Sequence, residues 1–160
     1  MGVIEGDLYT DQDAQRIEKK GVEVIQINTE GACHLDAGMV GTAFHRLPSA
    51  DLDMVFIENV GNLVCPAEFD LGEDYTAVVI STTEGNDKLR KYPLIFHQAR
   101  VIILNKIDLL PYTDFSLDKF KEDLAQINPS AVVFIISGRT GEGIENWTEW
   151  LLGEVKSKRP

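Results

Sequence analysis

The sequence has little cysteine, few basic side chains and no long apolar run, and each shortage excludes a class of protein. Cys33 and Cys65 are its only cysteines among 160 residues, too few for a disulfide scaffold, which favours a reducing compartment. The 26 acidic against 15 basic residues give a net charge of −11, which opposes binding to nucleic acid or anionic lipid. No stretch approaches the roughly 18 apolar residues of a membrane span, and no signal peptide opens the chain. We therefore expect a soluble cytoplasmic protein with no nucleic-acid or membrane partner.

Short runs rich in valine and isoleucine recur along the chain and do not alternate with polar residues. Such runs are typical of strands buried on both faces, as in a parallel sheet. A further strand, VIEGD at residues 3–7, begins so near the first residue that we expect a preceding strand and helix to be missing and an exposed edge near Val3. The other runs are VIQIN, MVFIEN, AVVIS, VIILN and AVVFIIS.

Segments with helical spacing separate these runs. Thr10 and Asp13 form a helix-start pattern that predicts a helix over residues 11–20, which Gly21 would end. A later helix is predicted to begin after Ser116 and to end before Pro129. The last helix would carry Ile144, Trp147 and Leu151 on one face.

The alternation of strands and helices predicts an α/β fold, a three-layer sandwich with a mostly parallel sheet and helices on both faces. We see no internal repeat or linker, so residues 1–153 are expected to form one domain. Residues 154–160, which end in KSKRP, are polar and are predicted to be a frayed tail.

The segment NKID, Asn105 to Asp108, directly follows the buried run VIIL. A carboxylate such as Asp108 can accept hydrogen bonds from two adjacent donors, which guanine has and adenine lacks. The Lys106 stem could lie over the base, and Asn105 could join neighbouring loops. Ser137 and Gly138 end another strand, where small residues let backbone N–H groups approach a base oxygen. Ligands bind at the carboxyl ends of parallel strands, so we favour guanine recognition over a plain polar turn.

Two acidic residues also stand at strand ends, Asp7 in VIEGD and Glu58 in MVFIEN. Carboxylates beside phosphates suit Mg²⁺, which usually takes one or two of them together with phosphate oxygens and water. The alternative is that each is only a solvated strand terminus.

Cys33 and His34 are adjacent, and Cys65 follows Glu58 closely. Thiolate and imidazole groups suit Zn²⁺ or Ni²⁺, and water or a second subunit would complete a site of three ligands. Against this, a lone cysteine is commonly a small buried hydrophobe. The histidines at positions 45 and 97 have no comparable neighbours and are interpreted as surface or core residues.

Long strings of this sequence resemble the HypB family, the nickel-incorporating GTPases of [NiFe]-hydrogenase maturation. The resemblance covers essentially all of residues 3–152. The strings that carry it are VIEGD, INTEGACHLDAGMV, FIENVGNLVCPAEFDLGE, TEGNDKLRKYP, LNKIDLLPY and SGRTGEG.

The resemblance implies a phosphate-loop NTPase G domain that hydrolyses GTP, forms a homodimer and delivers nickel to the hydrogenase large-subunit precursor with other maturation accessory proteins. It implies GTP, Mg²⁺ and either Ni²⁺ or Zn²⁺ as ligands. Asn105, Lys106 and Asp108 would bind guanine with help from Ser137 and Gly138. Asp7 and Glu58 would lie in the switch segments near Mg²⁺, Gly61 near the γ-phosphate, and Cys33, His34 and Cys65 would hold metal at the dimer interface.

The sequence nevertheless contains no G-x-x-x-x-G-K-[ST] phosphate loop. That loop supplies backbone N–H groups and a lysine to the β- and γ-phosphates. We therefore expect a G domain that lacks its first strand, phosphate loop and first helix, which lay upstream. Two alternatives to a GTPase metallochaperone stay open: a metal-binding dimerisation module that does not hydrolyse GTP, and a urease-type nickel GTPase.

Overall fold

The computed structural model describes residues 1–48 and 52–158, which divide into two compact units, Met1–Glu73 and Asp74–Pro160. Every strand pairing in these ranges is parallel, and helices connect the strands. The predicted α/β class and parallel pairing are thus confirmed. None of the helices in the described ranges is both long and apolar enough to cross a bilayer.

The first unit contains a three-stranded sheet in the order β2-β1-β3. Its strands are β1 (Gly2–Asp7), β2 (Glu23–Asn28) and β3 (Val55–Glu58), and its helices are α1 (Gln12–Glu18) and α2 (Ala37–Phe44). Because β1 pairs along both of its edges, the predicted exposed edge near Val3 is wrong.

The core of the first unit lies on one face of β1. Ile4 and Leu35 are fully buried there and pack with residues of α2. A Cβ at Gly6 would lie 2.8 Å from the Leu35 side chain, so only glycine allows this close packing. Since side chains alternate along a strand, Glu5 and Asp7 lie on the opposite face of β1.

The second unit has a sheet in the order β4-β5-β6. Its strands are β4 (Ala77–Ser81), β5 (Val101–Asn105) and β6 (Val132–Ile135). The central strand β5 is buried on both faces, as its apolar run predicts. In β4, however, burial alternates and Val79 is 56% exposed, so the prediction of two buried faces is wrong for that strand.

The helices of the second unit are α3 (Lys88–Lys91), α4 (Pro93–Gln98), α5 (Leu117–Ile127) and α6 (Ile144–Lys158). The prediction for α5 is confirmed, because Ser116 caps it by accepting a hydrogen bond from the Lys119 N–H at 3.2 Å. Helix α6 continues to Lys158, so residues 154–158 are not the frayed tail that their polarity suggested; residues 159 and 160 lie outside the described ranges.

Helix α1 begins differently from its prediction. Its N-cap residue is Asp11, whose side chain makes no capping bond, so the expected Thr10 start is wrong. The Asp13 carboxylate bonds instead to Arg16 at 2.5 Å. Gly21 has a left-handed φ of 75°, consistent with its predicted role as a helix stop.

Candidate metal centre and nucleotide-binding loops

Cys33, His34 and Cys65 come together in the first unit. Their ligand atoms all lie within 4.8 Å of one another. The Cys33 thiol donates to the Cys65 sulfur at 2.8 Å, and His34 Nδ1 is 3.7 Å from Cys33 Sγ. Both cysteines are free thiols. Two soft sulfur atoms and an imidazole nitrogen at these spacings form a donor set that suits Ni²⁺ or Zn²⁺.

Two asparagines hold the loops that carry these ligands. Asn62 donates to the Cys33 carbonyl, and its side-chain oxygen accepts from the Cys65 N–H at 3.0 Å. Asn59 accepts from the Leu35 N–H at 2.9 Å, just beyond His34. The loop after β3 is thereby bonded to the loop after β2 at the Cys33 carbonyl and at the Leu35 N–H, which lie on either side of His34.

The ring of His34 is fixed by stacking on Phe69, with centroids 3.7 Å apart and planes 17° from parallel. Cys65, which lies near His34 in space, begins a short 3₁₀ helix, Cys65–Glu68, and Pro66 is in its first turn. The hydrogen bond from Cys33 and the loss of water raise the pKa of the Cys65 thiol. The raised pKa favours the protonated thiol when no metal is bound. A metal that binds Cys65 must therefore displace the proton of this thiol.

Asp7 ends β1 and makes a compact turn. Its Oδ1 accepts from the Tyr9 and Thr10 N–H groups, each at 2.8 Å. These backbone bonds lower the pKa of the Asp7 carboxyl, which therefore stays ionised near neutral pH. These two N–H groups thus fix the position of one oxygen of the Asp7 carboxylate.

Glu58 lies at the exposed end of β3, next to an acidic residue that the sequence analysis missed. Glu5 is directly opposite Glu58 in the β1–β3 register and is only 3% exposed. Burial, and then the charges of Glu58, Asp7 and Asp13, raise the pKa of Glu5 to about 7. Loss of water, followed by the charges of Asp13 and Asp7, also raises the pKa of Glu58. The face of β1 that carries Asp7 is therefore strongly electronegative.

Gly61 lies on the exposed loop between Glu58 and Cys65. A Cβ at this position would meet no atom of the described residues within 4 Å. Space for a ligand near its backbone is therefore available, although the packing within this unit alone does not demand glycine.

The guanine-binding residues predicted from NKID lie in the second unit. Asn105 ends β5, and its Oδ1 accepts from the Lys106 N–H at 2.7 Å and from the Gly138 N–H at 3.0 Å. The amide therefore joins the two loops as predicted. Lys106 adopts a left-handed φ of 61°, which is uncommon outside glycine, and its carbonyl accepts from the buried Thr82 hydroxyl at 2.8 Å.

Asp108 is held by the second loop. Its Oδ1 accepts from the fully buried Ser137 hydroxyl at 2.7 Å, and its Oδ2 is 3.3 Å from Arg139 Nε. Arg139 itself is 82% exposed at its side chain, so it can move away from the carboxylate. Ser137 also accepts from the Thr140 N–H at 3.1 Å, which fixes the hydroxyl.

A glycine sets the shape of this second loop. Gly143 has a left-handed φ of 74°, and a Cβ there would lie 2.2 Å from the Ile135 carbonyl oxygen. The chain turns so tightly at this point that no side chain fits. Of the site residues missed by sequence analysis, Asn59, Asn62 and Arg139 lie within the strings ENVGNLVCP and SGRTGEG, and Glu5 is an isolated acid in an apolar strand.

The predicted site residues are thus divided between the two units. One set lies in the first unit and comprises Asp7, Cys33, His34, Glu58, Gly61 and Cys65. The other lies in the second unit and comprises Asn105, Lys106, Asp108, Ser137 and Gly138.

Comparison with known proteins places these features in a family. Residues 1–135 match the family described as CobW/HypB/UreG, nucleotide-binding domain. Hydrogenase maturation factor HypB of Escherichia coli (strain K12) is 50% identical over 149 residues, covering 93% of this chain and 51% of that protein. Hydrogenase/urease maturation factor HypB of Helicobacter hepaticus is 47% identical over 146 residues, covering 89% of this chain and 60% of that protein.

A solved structure supports the same grouping. The crystal structure of HypB from Helicobacter pylori in complex with nickel superimposes with a TM-score of 0.93 at 39% identity, covering 98% of this chain and 74% of that one. The chain spans about half the length of the Escherichia coli relative.

Proposed function

Because this chain belongs to the HypB family of the CobW/HypB/UreG nucleotide-binding domains, we propose that it acts as a GTP-dependent nickel metallochaperone. In this proposal Ni²⁺ is the cargo, held by Cys33, His34 and Cys65. The recipient is the [NiFe]-hydrogenase large-subunit precursor, reached with other maturation accessory proteins in the cytoplasm. Zn²⁺ fits the same donor set, so metal availability would decide which ion is bound.

The observation that carries this proposal is the loop from Glu58 to Cys65. It begins with a carboxylate at a strand end and finishes with a metal-binding thiol, and Asn62 bonds it to the Cys33 carbonyl. A nucleotide-dependent movement of this short loop would therefore move a metal ligand. GTPases commonly use such switch segments to convert nucleotide state into a change at a second site.

The residues for nucleotide binding are consistent with this role. Asp108 would accept the two guanine donors and Asn105 would hold the loop, with Lys106 over the base and Ser137 and Gly138 beside it. Asp7 and Glu58 supply oxygen donors of the type that Mg²⁺ prefers, and Gly61 leaves room for phosphate. Mg²⁺ would neutralise phosphate charge, while Asp7 and Glu58 orient it and position water near Gly61.

A homodimer belongs to the proposal because the metal site has three protein ligands. Tetrahedral and square-planar sites take four ligands, and structural zinc sites are closed by protein. Cys33 is exposed in the described unit, so a second copy of the chain could supply the missing ligand. Water would serve if the protein works as a monomer.

The test is to measure Ni²⁺ affinity with GTP, with GDP and without nucleotide, in the wild-type chain and in Cys33→Ser and Cys65→Ser. We expect either substitution to lower affinity by about 100-fold or more, beyond the roughly 10–100-fold typical of outer-shell changes. The exposed His45→Asn is the matched control. Nickel affinity that is the same in all three nucleotide conditions would contradict the GTP dependence.

The second candidate is a metal-binding dimerisation module without GTPase activity. It is favoured by one observation, the absence of a G-x-x-x-x-G-K-[ST] motif from these 160 residues. GTP hydrolysis by the purified chain, lost in Asp7→Asn, would exclude it. A urease-type nickel GTPase remains a third candidate, and nickel insertion into urease rather than hydrogenase in a reconstituted assay would favour it.

A further inference from the structure

Lys106 has an uncommon backbone conformation at the point where β5 ends. Its φ of 61° and ψ of 37° lie in the left-handed region, which a residue with a Cβ seldom occupies unless its surroundings hold it there. Lys106 is also the N-cap residue of a 3₁₀ helix, Ile107–Tyr112, and Asp108 lies in the first turn of that helix. The conformation of Lys106 therefore sets the direction in which the Asp108 side chain leaves the backbone.

Hydrogen bonds hold the peptide groups of Lys106 on both sides of its Cα atom. Its N–H donates to Asn105 Oδ1 at 2.7 Å, and its carbonyl accepts from the Leu109 N–H at 2.9 Å. The same carbonyl accepts from the hydroxyl of Thr82, 24 residues earlier in the sequence, at 2.8 Å. Thr82 is only 1% exposed, so bulk water does not compete for this hydroxyl. The bond from Thr82 thus connects Lys106 to a segment outside its own loop.

The segment that carries Thr82 is itself held in place. Thr82 directly follows β4, which pairs with β5 along its whole length, and it begins a short 3₁₀ helix, Thr82–Glu84. Further along this segment, the Asn86 side chain donates to the Ser116 carbonyl and accepts from the Ser116 N–H, each at 2.8 Å. The sheet before Thr82 and these bonds after it therefore fix the position of its hydroxyl.

We propose that Thr82 is a positioning residue for guanine recognition. Its hydroxyl holds Lys106 in the left-handed conformation, which places the Lys106 stem over the base and aims the Asp108 carboxylate at the two donors on the guanine edge. Thr82 does not touch the base and acts through Lys106. The inference rests on the proposed function, since it requires that Lys106 and Asp108 bind guanine.

Loss of the Thr82 hydroxyl should change the conformation of Lys106 without unfolding the chain. In Thr82→Val a methyl group takes the place of the hydroxyl, and the Lys106 carbonyl keeps its bond from the Leu109 N–H. No buried acceptor is therefore left without a partner, which is the costly outcome of removing a hydrogen bond. Lys106 would leave the left-handed region in a fraction of the molecules, and the apparent affinity for guanine would fall with the competent fraction.

The experiment measures binding of guanosine monophosphate (GMP) and adenosine monophosphate (AMP) to the 160-residue chain by NMR titration. GMP is the probe because the inference concerns the base, and the amide signals of Asp108 and Gly138 report on it. The wild-type chain should bind GMP more tightly than AMP. Thr82→Val should weaken GMP binding by about 2- to 10-fold, the change in an equilibrium constant that one net hydrogen bond produces.

Three further variants separate the hydroxyl from other effects of substitution. Thr82→Ser keeps the hydroxyl and should bind GMP within about twofold of wild type, less than the loss of a hydrogen bond would cause. Thr83→Val is the matched control, because Thr83 is exposed and its hydroxyl lies 2.6 Å from that of Ser81; it should bind as wild type does. Thr82→Ala also lacks the hydroxyl and serves if Thr82→Val does not fold.

A second readout reports the conformation of Lys106 without any nucleotide. At positive φ the N–H and Hα hydrogens of one residue lie closer together than at negative φ, and the nuclear Overhauser effect between them is stronger. This effect at Lys106 should be strong in wild type, Thr82→Ser and Thr83→Val, and weaker in Thr82→Val. A purely structural role of Thr82 would lower the stability of the chain and leave this signal and GMP affinity unchanged.

The possible failures are distinguishable. If the wild-type chain binds GMP no more tightly than AMP, the proposed guanine recognition fails, and the role of Thr82 fails with it. If wild type selects GMP but Thr82→Val binds it as tightly as Thr83→Val, only the inference about Thr82 is overturned. Weaker GMP binding with an unchanged signal at Lys106, or no recovery in Thr82→Ser, would overturn it as well, because the hydroxyl would then not act through Lys106.

Discussion

The predicted guanine-binding residues of the second unit, Asn105 to Asp108 with Ser137 and Gly138, form what we call the guanine loop. This loop differs from the metal and acidic loops of the first unit in how completely its polar atoms are bonded. In the guanine loop, the Asn105 oxygen accepts two backbone bonds and both Asp108 oxygens have partners. In the first unit, Glu5 Oε2 has no partner in the described ranges, and the two thiols bond mainly to each other.

This difference indicates two ways of preparing a site. A loop whose donors and acceptors are already fixed can bind a base with little reorganisation, since only the exposed Arg139 must release Asp108. A set of thiols and carboxylates without counter-charges is instead completed by its ligand. Binding in the first unit should therefore change stability and loop order more than binding in the second unit.

The largest expected effect is on base selection by Asp108. Asp108→Asn replaces one acceptor with a donor, so one hydrogen bond to guanine is lost and the other is no longer charge-assisted; a hydrogen bond to a charged group contributes about 1.5–3 kcal/mol. GTP affinity should fall by roughly 100-fold or more, while affinity for xanthosine triphosphate, which has a carbonyl in place of the amino group, should rise. Calorimetric titration with GTP, ATP and xanthosine triphosphate measures this. Equal binding of GTP and ATP by the wild-type chain would contradict a guanine loop.

The rigidity of the guanine loop should depend on Gly143. A Cβ there would overlap the Ile135 carbonyl, so Gly143→Ala should lower the free energy of unfolding by about 3 kcal/mol or more. Gly141→Ala is the matched control, because Gly141 has a similar φ of 85° but open space around it. It should cost only about 1–2 kcal/mol. Denaturant titration of both variants checks the difference, and equal destabilisation would show that steric overlap is not the cause.

A smaller effect is expected from the asparagine that bonds the two metal loops together. Asn62→Ala removes bonds to the Cys33 carbonyl and the Cys65 N–H, so Ni²⁺ affinity should fall about tenfold, as for other outer-shell partners. Asn86→Ala is the control, because Asn86 makes comparable loop bonds to Ser116. If both variants bind nickel alike, the metal ligands are positioned without Asn62.

An effect of comparable size, a pH dependence of stability, is expected from Glu5. Its pKa is raised to about 7 in the folded chain from an ordinary value of 4.5, so the unfolded chain ionises first as pH rises. The stabilising contribution of the protonated form is complete below pH 4.5 and is lost as pH rises to about 7. With chelator present, the free energy of unfolding of wild type relative to Glu5→Gln should fall by on the order of 2 kcal/mol across this window. A constant difference between pH 4.5 and 7 would contradict the prediction.

Much of the conformation of the guanine loop could be predicted because it depends on residues that are adjacent in the sequence. NKID follows an unmistakably buried strand, and the bond from Asn105 to the second loop follows from where two parallel strands end. The Cys33-His34 pair could be related to Cys65 because both follow strands of one sheet. Family resemblance added roles for Asp7, Glu58 and Gly61 that strand-end position alone left open.

What the sequence could not predict depends on pairing between distant segments. Glu5 is ordinary in sequence and becomes unusual only when β2 and β3 flank it with Gln26 and Glu58. The role of Asn62 requires knowledge that two loops meet. Polarity alone suggested a frayed tail where α6 continues to Lys158, because good helix formers such as lysine and glutamate extend a helix without being buried.

The central position of β1 also has a consequence for synthesis of the chain. β1 is made before both strands that flank it, and its second edge is covered only when Val55 to Glu58 has emerged from the ribosome. At about 5–20 residues per second, β1 waits on the order of seconds with an unpaired edge and Ile4 exposed. The nascent first unit should therefore be a client of ribosome-associated chaperones until β3 is translated.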